Sequence, residues 1–186
     1  MDNAFAALGL EPRLSLDEES IRAAYLERSK TALEDDQQVL NEALQLLLPP
    51  DRRVKHLMDI SAPAEAKAWR TVPLSDDYMR LFGVVGNARQ QADPILKKAE
   101  TSQSALARAL LAPQILKVRD QAEEAASQLE SALESELTKL PDLDAKLAGG
   151  QASAPWSEVA EVQARLAYLL KWQAQIRESL MRLQPG

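Results

Sequence analysis

Apolar residues recur every three or four positions along most of the chain, which is the spacing of one face of an α-helix. In the first third of the sequence this pattern predicts four helices, beginning near Asn3, Asp17, Asp36 and Asp51. Asp17 and Asp51 are suited to cap their helices, because a carboxylate accepts hydrogen bonds from free backbone N–H groups. The proline pair at 49–50 is expected to end the third helix, since proline lacks the N–H donor. Residues 1–60 are therefore expected to form a small helical head.

The helical spacing is interrupted over residues 61–73, SAPAEAKAWRTVP, which contain two prolines and no amphipathic period. We expect this stretch to connect two domains. Beyond it, three further helices are predicted, beginning at Ser75 or Asp76, near Ser102 and at Trp156 or Ser157. The stretch PDLDAKLAGGQASAP, residues 141–155, is expected to be the loop before the last helix. The chain is thus expected to be all-α, with a three-helix bundle over residues 74–186.

The last predicted helix has the most regular apolar seam, with inward positions alternating three and four residues apart. These positions are Val159, Val162, Leu166, Leu169, Gln173, Ile176, Leu180 and Leu183. Such spacing is typical of a helical bundle or of a coiled coil. The seam would serve either to pack the helix within the chain or, with the Ala- and Glu-rich helix before it, to form a homodimer.

The composition of the chain excludes several classes of function but does not identify one. The 186 residues carry a net charge of −6 and no cysteine. This argues against nucleic acid or an anionic membrane as the partner, and it excludes disulfides and thiolate metal sites. The sequence contains no motif for a nucleophile–base pair or a phosphate-binding loop. His56 is the only histidine, and we expect it at the surface or half-buried rather than on a metal. The sequence therefore predicts a cytoplasmic, non-enzymatic protein without a cofactor or a metal.

Three stretches carry a family likeness, and they occur in the family's order along the chain. They are FAALGLEPRLSLDEESIRAAYLERSK (5–30), LNEALQLLLPPDRRVKHLM (40–58) and WSEVAEVQARLAYLLKWQAQIRESLMRL (156–183). The chain resembles the HscB-type J-domain co-chaperones of iron–sulfur cluster assembly. In that family an aromatic residue followed by Leu-Gly-Leu opens the J-domain, Pro-x-x-Arg leads into its last helix, and a Trp opens the final helix. The resemblance implies a J-domain-like head and a C-terminal three-helix bundle.

The resemblance also implies a His-Pro-Asp tripeptide between the second and third helices, through which a J-domain stimulates ATP hydrolysis by a DnaK-type chaperone. The corresponding loop contains neither histidine nor proline and consists of Thr31, Ala32, Leu33, Glu34, Asp35 and Asp36. The family's second helix presents a basic face, whereas residues 15–30 carry three basic and four acidic side chains. We interpret the head as a degenerate J-domain. The acids at 34–36 are explained by a helix N-cap and its favourable charge rather than by a cation site.

A second family site binds the iron–sulfur scaffold protein, on the first and last helices of the C-terminal domain. Its apolar half is matched here by Tyr78, Met79, Phe82 and Tyr168. The family's glutamate positions read Gly83 and Gly86, which together cost about 2 kcal/mol of helix propensity. These glycines are expected to end or bend the helix, or to allow a close helix crossing. The alternative interpretation of the four apolar residues is that they belong to the core.

The favoured hypothesis is a non-catalytic protein-binding module with an HscB-type frame that does not stimulate a DnaK-type ATPase. Its partner would be an iron–sulfur scaffold protein or a DnaK-type chaperone. The alternative hypothesis is a helical oligomerisation or scaffold protein with no remaining chaperone role.

Overall fold

The computed structural model describes residues 3–63, 75–102, 104–149 and 155–183. All regular secondary structure in these ranges is α-helical, which confirms the predicted all-α class. The helices are α1 (Ala4–Leu8), α2 (Glu18–Ser29), α3 (Glu34–Leu47), α4 (Pro50–Ser61), α5 (Asp76–Thr101), α6 (Ala105–Leu137), α7 (Leu140–Ala148) and α8 (Trp156–Arg182).

The chain divides into two compact units. The first unit comprises Met1–Val72 with Ser135–Ala167, and the second comprises Pro73–Glu134 with Tyr168–Gly186. The domain boundaries inferred from the sequence, at residues 60 and 74, stay a prediction. Of the connector expected at 61–73, residues 64–73 lie outside the described residues.

The helices of the first unit begin and end where local chemistry favours it. Asn3 caps α1 by accepting a hydrogen bond from the backbone N–H of Ala6 at 3.0 Å. Gly9 ends this helix with φ 70°, a left-handed conformation that glycine adopts without a steric penalty. Asp17 caps α2 as predicted, with its carboxylate 2.7 Å from the backbone nitrogen of Ser20. Helix α3 packs against α1, α2 and α4. The core between them includes Phe5, Leu8, Ile21, Leu40, Ala43, Leu47, Val54 and Leu57.

The start of α4 differs from the prediction. Pro50 is the first residue of the helix and Pro49 its N-cap, so Asp51 lies in the first turn and does not cap it. Proline is favoured at the first helical position because its missing N–H would have no partner there in any case. The proline pair therefore separates α3 from α4 and also begins α4.

The loop predicted at 141–155 is wrong in its first half, because helix α7 spans Leu140–Ala148. Pro141 lies in the first turn of that helix, where proline is tolerated. Leu140 and Leu143 are buried one turn apart, which is the helical spacing that the proline and glycine residues of this stretch obscured. The long helix before it accordingly ends at Leu137.

In the second unit, three helices contribute side chains to one core. Helix α5 supplies Leu81, Val85 and Ala88, α6 supplies Ala125 and Leu129, and α8 supplies Leu169, Trp172 and Ile176. The inward position expected at Gln173 is taken by Trp172, which is buried. Because its apolar residues are buried within the chain, the seam of α8 is used for internal packing. Helix α5 continues through Gly83 and Gly86 to Thr101, so the glycines do not end it.

Candidate functional site

The predicted degenerate J-loop is a short connection, Lys30–Leu33, between α2 and α3. Thr31 and Leu33 are exposed, Leu33 with 76% of its surface accessible, and Ala32 is half-buried. Asp36 is exposed, while the side chains of Glu34 and Asp35 lie outside the described residues. The N-cap of α3 is Leu33, which has no side-chain acceptor. The predicted acidic N-cap is therefore wrong, because all three acids lie in the first turn, where the helix dipole still favours them.

Neutral hydrogen bonds hold the two helices of the hairpin together behind this loop. The Tyr25 hydroxyl donates to Oδ1 of Asn41 at 2.7 Å. Nε2 of Gln37 donates to the Tyr25 hydroxyl at 2.9 Å and to Oγ of Ser29 at 3.4 Å. These side-chain contacts join the two helices of the hairpin, and the loop adds backbone hydrogen bonds, such as that from the Gln37 N–H to the carbonyl of Leu33 at 2.9 Å.

Helix α2 lacks the uncompensated basic stripe of a J-domain. Arg22 lies 3.4 Å from the carboxylate of Glu18, and Lys30 lies 2.5 Å from that of Glu27. The hydrogen bond and the charge of Lys30 lower the pKa of Glu27. Two of the three basic side chains in residues 15–30 therefore lie beside an acid of the same segment.

Two polar side chains, Arg53 and Asp144, connect the helices of the first unit to the loop before α2. Arg53 is 4% exposed, and its guanidinium donates from Nε to the carbonyl of Leu14 at 3.0 Å and from Nη1 to that of Leu47 at 2.7 Å. Burial lowers the pKa of Arg53, against the opposing influence of Asp144. The Asp144 carboxylate of α7 accepts hydrogen bonds from the backbone N–H groups of Leu14 and Ser15 at 2.7 and 2.9 Å. Arg53 of α4 thus binds a carbonyl group of the loop before α2, and Asp144 of α7 binds two of its N–H groups.

His56 is buried, with 6% of its surface accessible, so its predicted position at the surface or half-buried is wrong. Its Nε2 accepts a hydrogen bond from the backbone N–H of Ala4 at 2.9 Å, and its ring stacks on Phe5 with centroids 5.6 Å apart. Desolvation by burial lowers its pKa. The imidazole is therefore a neutral acceptor that completes the N-terminus of α1. In the part of the chain that the structure describes, no cluster of His, Asp or Glu residues could hold a metal ion.

The first unit also has an open groove of about 790 Å³ beside Arg13, Asp144 and Trp156. Asp144, which fastens the loop before α2, is one of the acidic residues that line this groove. Its oxygens already accept from two backbone N–H groups and from the Ser15 hydroxyl. Asp144 is therefore already satisfied within the protein, and the exposed Arg13 at the groove is paired with Glu11.

The second unit presents an apolar surface on α5 and α8, formed by Met79, Phe82 and Tyr168 with Trp172 beneath them. The three outer residues are 53%, 51% and 44% exposed. The rings of Phe82 and Trp172 have centroids 5.4 Å apart, and those of Tyr168 and Trp172 are 6.0 Å apart. The structure therefore brings Phe82 and Tyr168, which are far apart in sequence, onto one surface. We call this set of four residues the aromatic face.

Four residues were predicted to bind a partner, with the alternative that they belong to the core. Tyr78 fits the core interpretation best, since it is half-buried and packs against the core of the second unit. Met79, Phe82 and Tyr168 are too exposed to be core residues. Trp172 was missed because the regular seam favoured Gln173 as the inward residue. A shift of the seam by one residue, from Leu169 to Trp172 to Ile176, is the signal that would have identified it.

Gly83 and Gly86 lie on the same side of α5 as the aromatic face. In the described part of the chain, nothing outside the helix lies within 4 Å of where a Cβ would stand at either glycine. A close helix crossing was one expected explanation of these glycines. No other helix of the described chain makes such a crossing at either position. At the two glycines the backbone of α5 is not covered by side chains, so the helix surface beside Phe82 is flat.

No family model matches the chain, and no curated protein matches it either. Among the helices that the structure describes, none combines the length with the apolar character that crossing a bilayer requires.

Proposed function

We propose that this protein is a non-catalytic protein-binding module of the HscB type that binds an iron–sulfur scaffold protein through the aromatic face. The observation that carries the proposal is the exposure of Met79, Phe82 and Tyr168 around Trp172. Large apolar side chains that lie together at a surface are typical of a protein–protein contact. We further propose that it acts in the cytoplasm, which a chain without cysteine permits.

The second part of the proposal is that the protein does not stimulate a DnaK-type ATPase. This is supported by the loop Lys30–Leu33, which has neither histidine nor proline. It is supported also by the ion pairs of Arg22 and Lys30, because basic side chains that lie beside acids attract an acidic partner weakly. A DnaK-type chaperone therefore remains a partner only through the scaffold protein that both would bind.

Two measurements test the proposal. In a calorimetric titration with the iron–sulfur scaffold protein from the same source, we expect binding in about the micromolar range, lost in a Phe82→Ala, Tyr168→Ala variant of unchanged helicity. In a single-turnover assay of the DnaK-type chaperone, we expect no acceleration of ATP hydrolysis at saturating protein. Absence of heat with the folded wild-type protein would contradict the first part, and a several-fold acceleration would contradict the second.

A second candidate function, assembly through self-association, is favoured by one observation. Leu106, Leu110 and Leu116 on α6 are all more than half exposed, whereas the seam of α8 is already buried. For this candidate we propose that the homodimer forms through the start of α6 rather than through the seam of α8. Sedimentation equilibrium would then show a dimer that Leu106→Ser, Leu110→Ser dissociates, and a monomer at all micromolar concentrations would exclude this candidate.

A further inference from the structure

His56 of α4 makes both a polar and an aromatic contact with α1, a helix of only five residues. The backbone N–H of Ala4, the first residue of α1, is buried and donates to Nε2 of His56 at 2.9 Å. The imidazole also stacks on Phe5, with an angle of 21° between the ring planes. One side chain of α4 thus supplies the hydrogen-bond acceptor for the start of α1 and a ring contact beside it.

The hydrogen bond from Ala4 requires the neutral form of the imidazole. Nε2 accepts only while it carries no proton, so the neutral ring holds its single proton on Nδ1. After protonation both ring nitrogens are donors, and the N–H of Ala4 would face another N–H. A positive charge would then occupy a site where His56 is only 6% exposed. Protonation of His56 therefore opposes the bound position of α1.

The charges near His56 do little to offset this cost. Burial is the largest influence and lowers the pKa of His56, and the amino terminus of the chain acts in the same direction. Asp59, one turn later on α4, raises that pKa but is itself paired with Lys55 at 3.0 Å. Among the described residues, no charged group of another helix acts appreciably on the ring, and residues 3–9 contain none. No acid from α1 or α3 therefore stabilises a buried imidazolium.

Separation of α1 from the first unit has a natural end point at Leu14. The carbonyl of Leu14 accepts from Nε of Arg53 at 3.0 Å. The N–H groups of Leu14 and Ser15 donate to the carboxylate of Asp144 at 2.7 and 2.9 Å. None of these contacts involves α1 or His56, so they hold the start of α2 in place when α1 leaves. A short helix attached in this way can open in a step of its own, before the whole unit unfolds.

We propose that His56 is an acid-sensitive switch, whose protonation releases α1 from the first unit while α2, α3 and α4 stay folded. When α1 is released, His56 is exposed to water and has the ordinary histidine pKa of about 6.5. The released form therefore takes up a proton more readily than the bound form. Between the two pKa values, each unit of decrease in pH raises the ratio of released to bound α1 by up to about tenfold. The proposal is independent of the aromatic face and of any partner.

Amide hydrogen exchange of the ¹⁵N-labelled full chain, followed by NMR between about pH 7.5 and 5, tests the switch. The N–H groups of Gly9 and Leu10 report on α1, because they donate to the carbonyls of Ala6 and Phe5 at 3.0 and 2.9 Å. After correction for the intrinsic exchange rate, we expect their protection to be constant above about pH 6.5 and to fall by up to about tenfold per unit below it.

Other amides and two variants separate the switch from general unfolding. The amides of Ala43 and Leu47, in the buried part of α3, should remain more strongly protected than the α1 amides at every pH. His56→Gln keeps an acceptor that does not titrate and should remove the pH dependence of the α1 amides. The matched control is Asn3→Ala, which removes the cap of α1. It should lower the protection of the α1 amides about fivefold at every pH and leave their pH dependence intact.

The wild-type protein supplies a further measurement, because His56 is the only histidine of the chain and its ring ¹⁵N signals follow its protonation directly. We expect the fall in protection of Gly9 and Leu10 to accompany that titration. A ring that becomes protonated while both amides keep their protection would overturn the proposal. A pH dependence that persists in His56→Gln, or equal protection of the α1 and α3 amides at every pH, would overturn it as well.

Discussion

The two units of this protein differ in how they treat polar groups. In the first unit, the buried polar side chains of Arg53, His56 and Glu136 all have partners, with Glu136 paired to Lys139 and Arg165. In the second, two buried side-chain atoms of the described chain, Arg89 Nε and Gln121 Oε1, have none. The second unit also exposes the aromatic face. Within the described residues, the first unit therefore satisfies its buried polar side chains, whereas the second leaves two buried atoms unsatisfied and exposes the apolar surface that we propose binds a partner.

The largest effect is expected from removing the guanidinium that holds the loop before α2. Replacing Arg53 by Met keeps much of the side-chain volume but leaves the carbonyls of Leu14 and Leu47 without their donor in a buried site. We expect the free energy of unfolding, measured by urea denaturation, to fall by about 3 kcal/mol. Arg52→Met is the matched control, because Arg52 is exposed and its loss should change the free energy by less than about 0.5 kcal/mol. If the free energy of unfolding were similar for Arg53→Met and Arg52→Met, the hydrogen bonds of Arg53 would not stabilise the first unit, and the contrast between the two units would be lost.

A smaller effect of opposite sign is expected on α5. Because a Cβ at Gly83 or Gly86 meets nothing outside the helix in the described chain, Gly83→Ala, Gly86→Ala should raise the free energy of unfolding by about 2 kcal/mol through helix propensity. The same variant should weaken binding of the scaffold protein, since the methyl groups obstruct the partner's approach. A variant that is more stable and binds as tightly as the wild type would show that the glycines do not serve binding.

The smallest effect is expected from the titration of His56. Burial lowers the pKa of His56 in the folded protein, while the unfolded chain keeps a value near 6.5. Above that pH both states are neutral and the full stability is present. Below it the unfolded chain takes up the proton first, so stability falls as the pH decreases. Urea denaturation between about pH 7.5 and 5 should show this loss, and His56→Gln, which keeps an acceptor for Ala4, should flatten it. An unchanged profile in the variant would exclude His56 as the source.

Periodicity predicted the helices well because their apolar residues make one continuous stripe, as in α3 and α8. It failed where stability depends on contacts distant in sequence. Helix α7 was hidden by its proline and glycines, and its value to the fold comes from Asp144, which reaches Leu14 across 130 positions of the sequence. His56 is buried by its contacts with α1. No helical spacing could have indicated either arrangement.

The candidate site was predicted in part. The resemblance identified Phe82 and Tyr168, but their proximity depends on the contacts that both rings make with Trp172. No local motif of the sequence indicates those contacts. Tyr78, selected by the same resemblance, packs against the core, because a helical stripe in the sequence does not distinguish its outer edge from its inner one.

The most direct test of the contrast between the units is an NMR titration of the ¹⁵N-labelled protein with the unlabelled scaffold protein. The amides of Gly83 and Gly86 report on the aromatic face, and those of Thr31, Ala32 and Leu33 report on the degenerate J-loop. We expect the two glycine signals to shift or broaden as the scaffold protein is added, while the three loop signals stay in place. Changes confined to the loop, or no changes at saturating scaffold protein, would contradict this account.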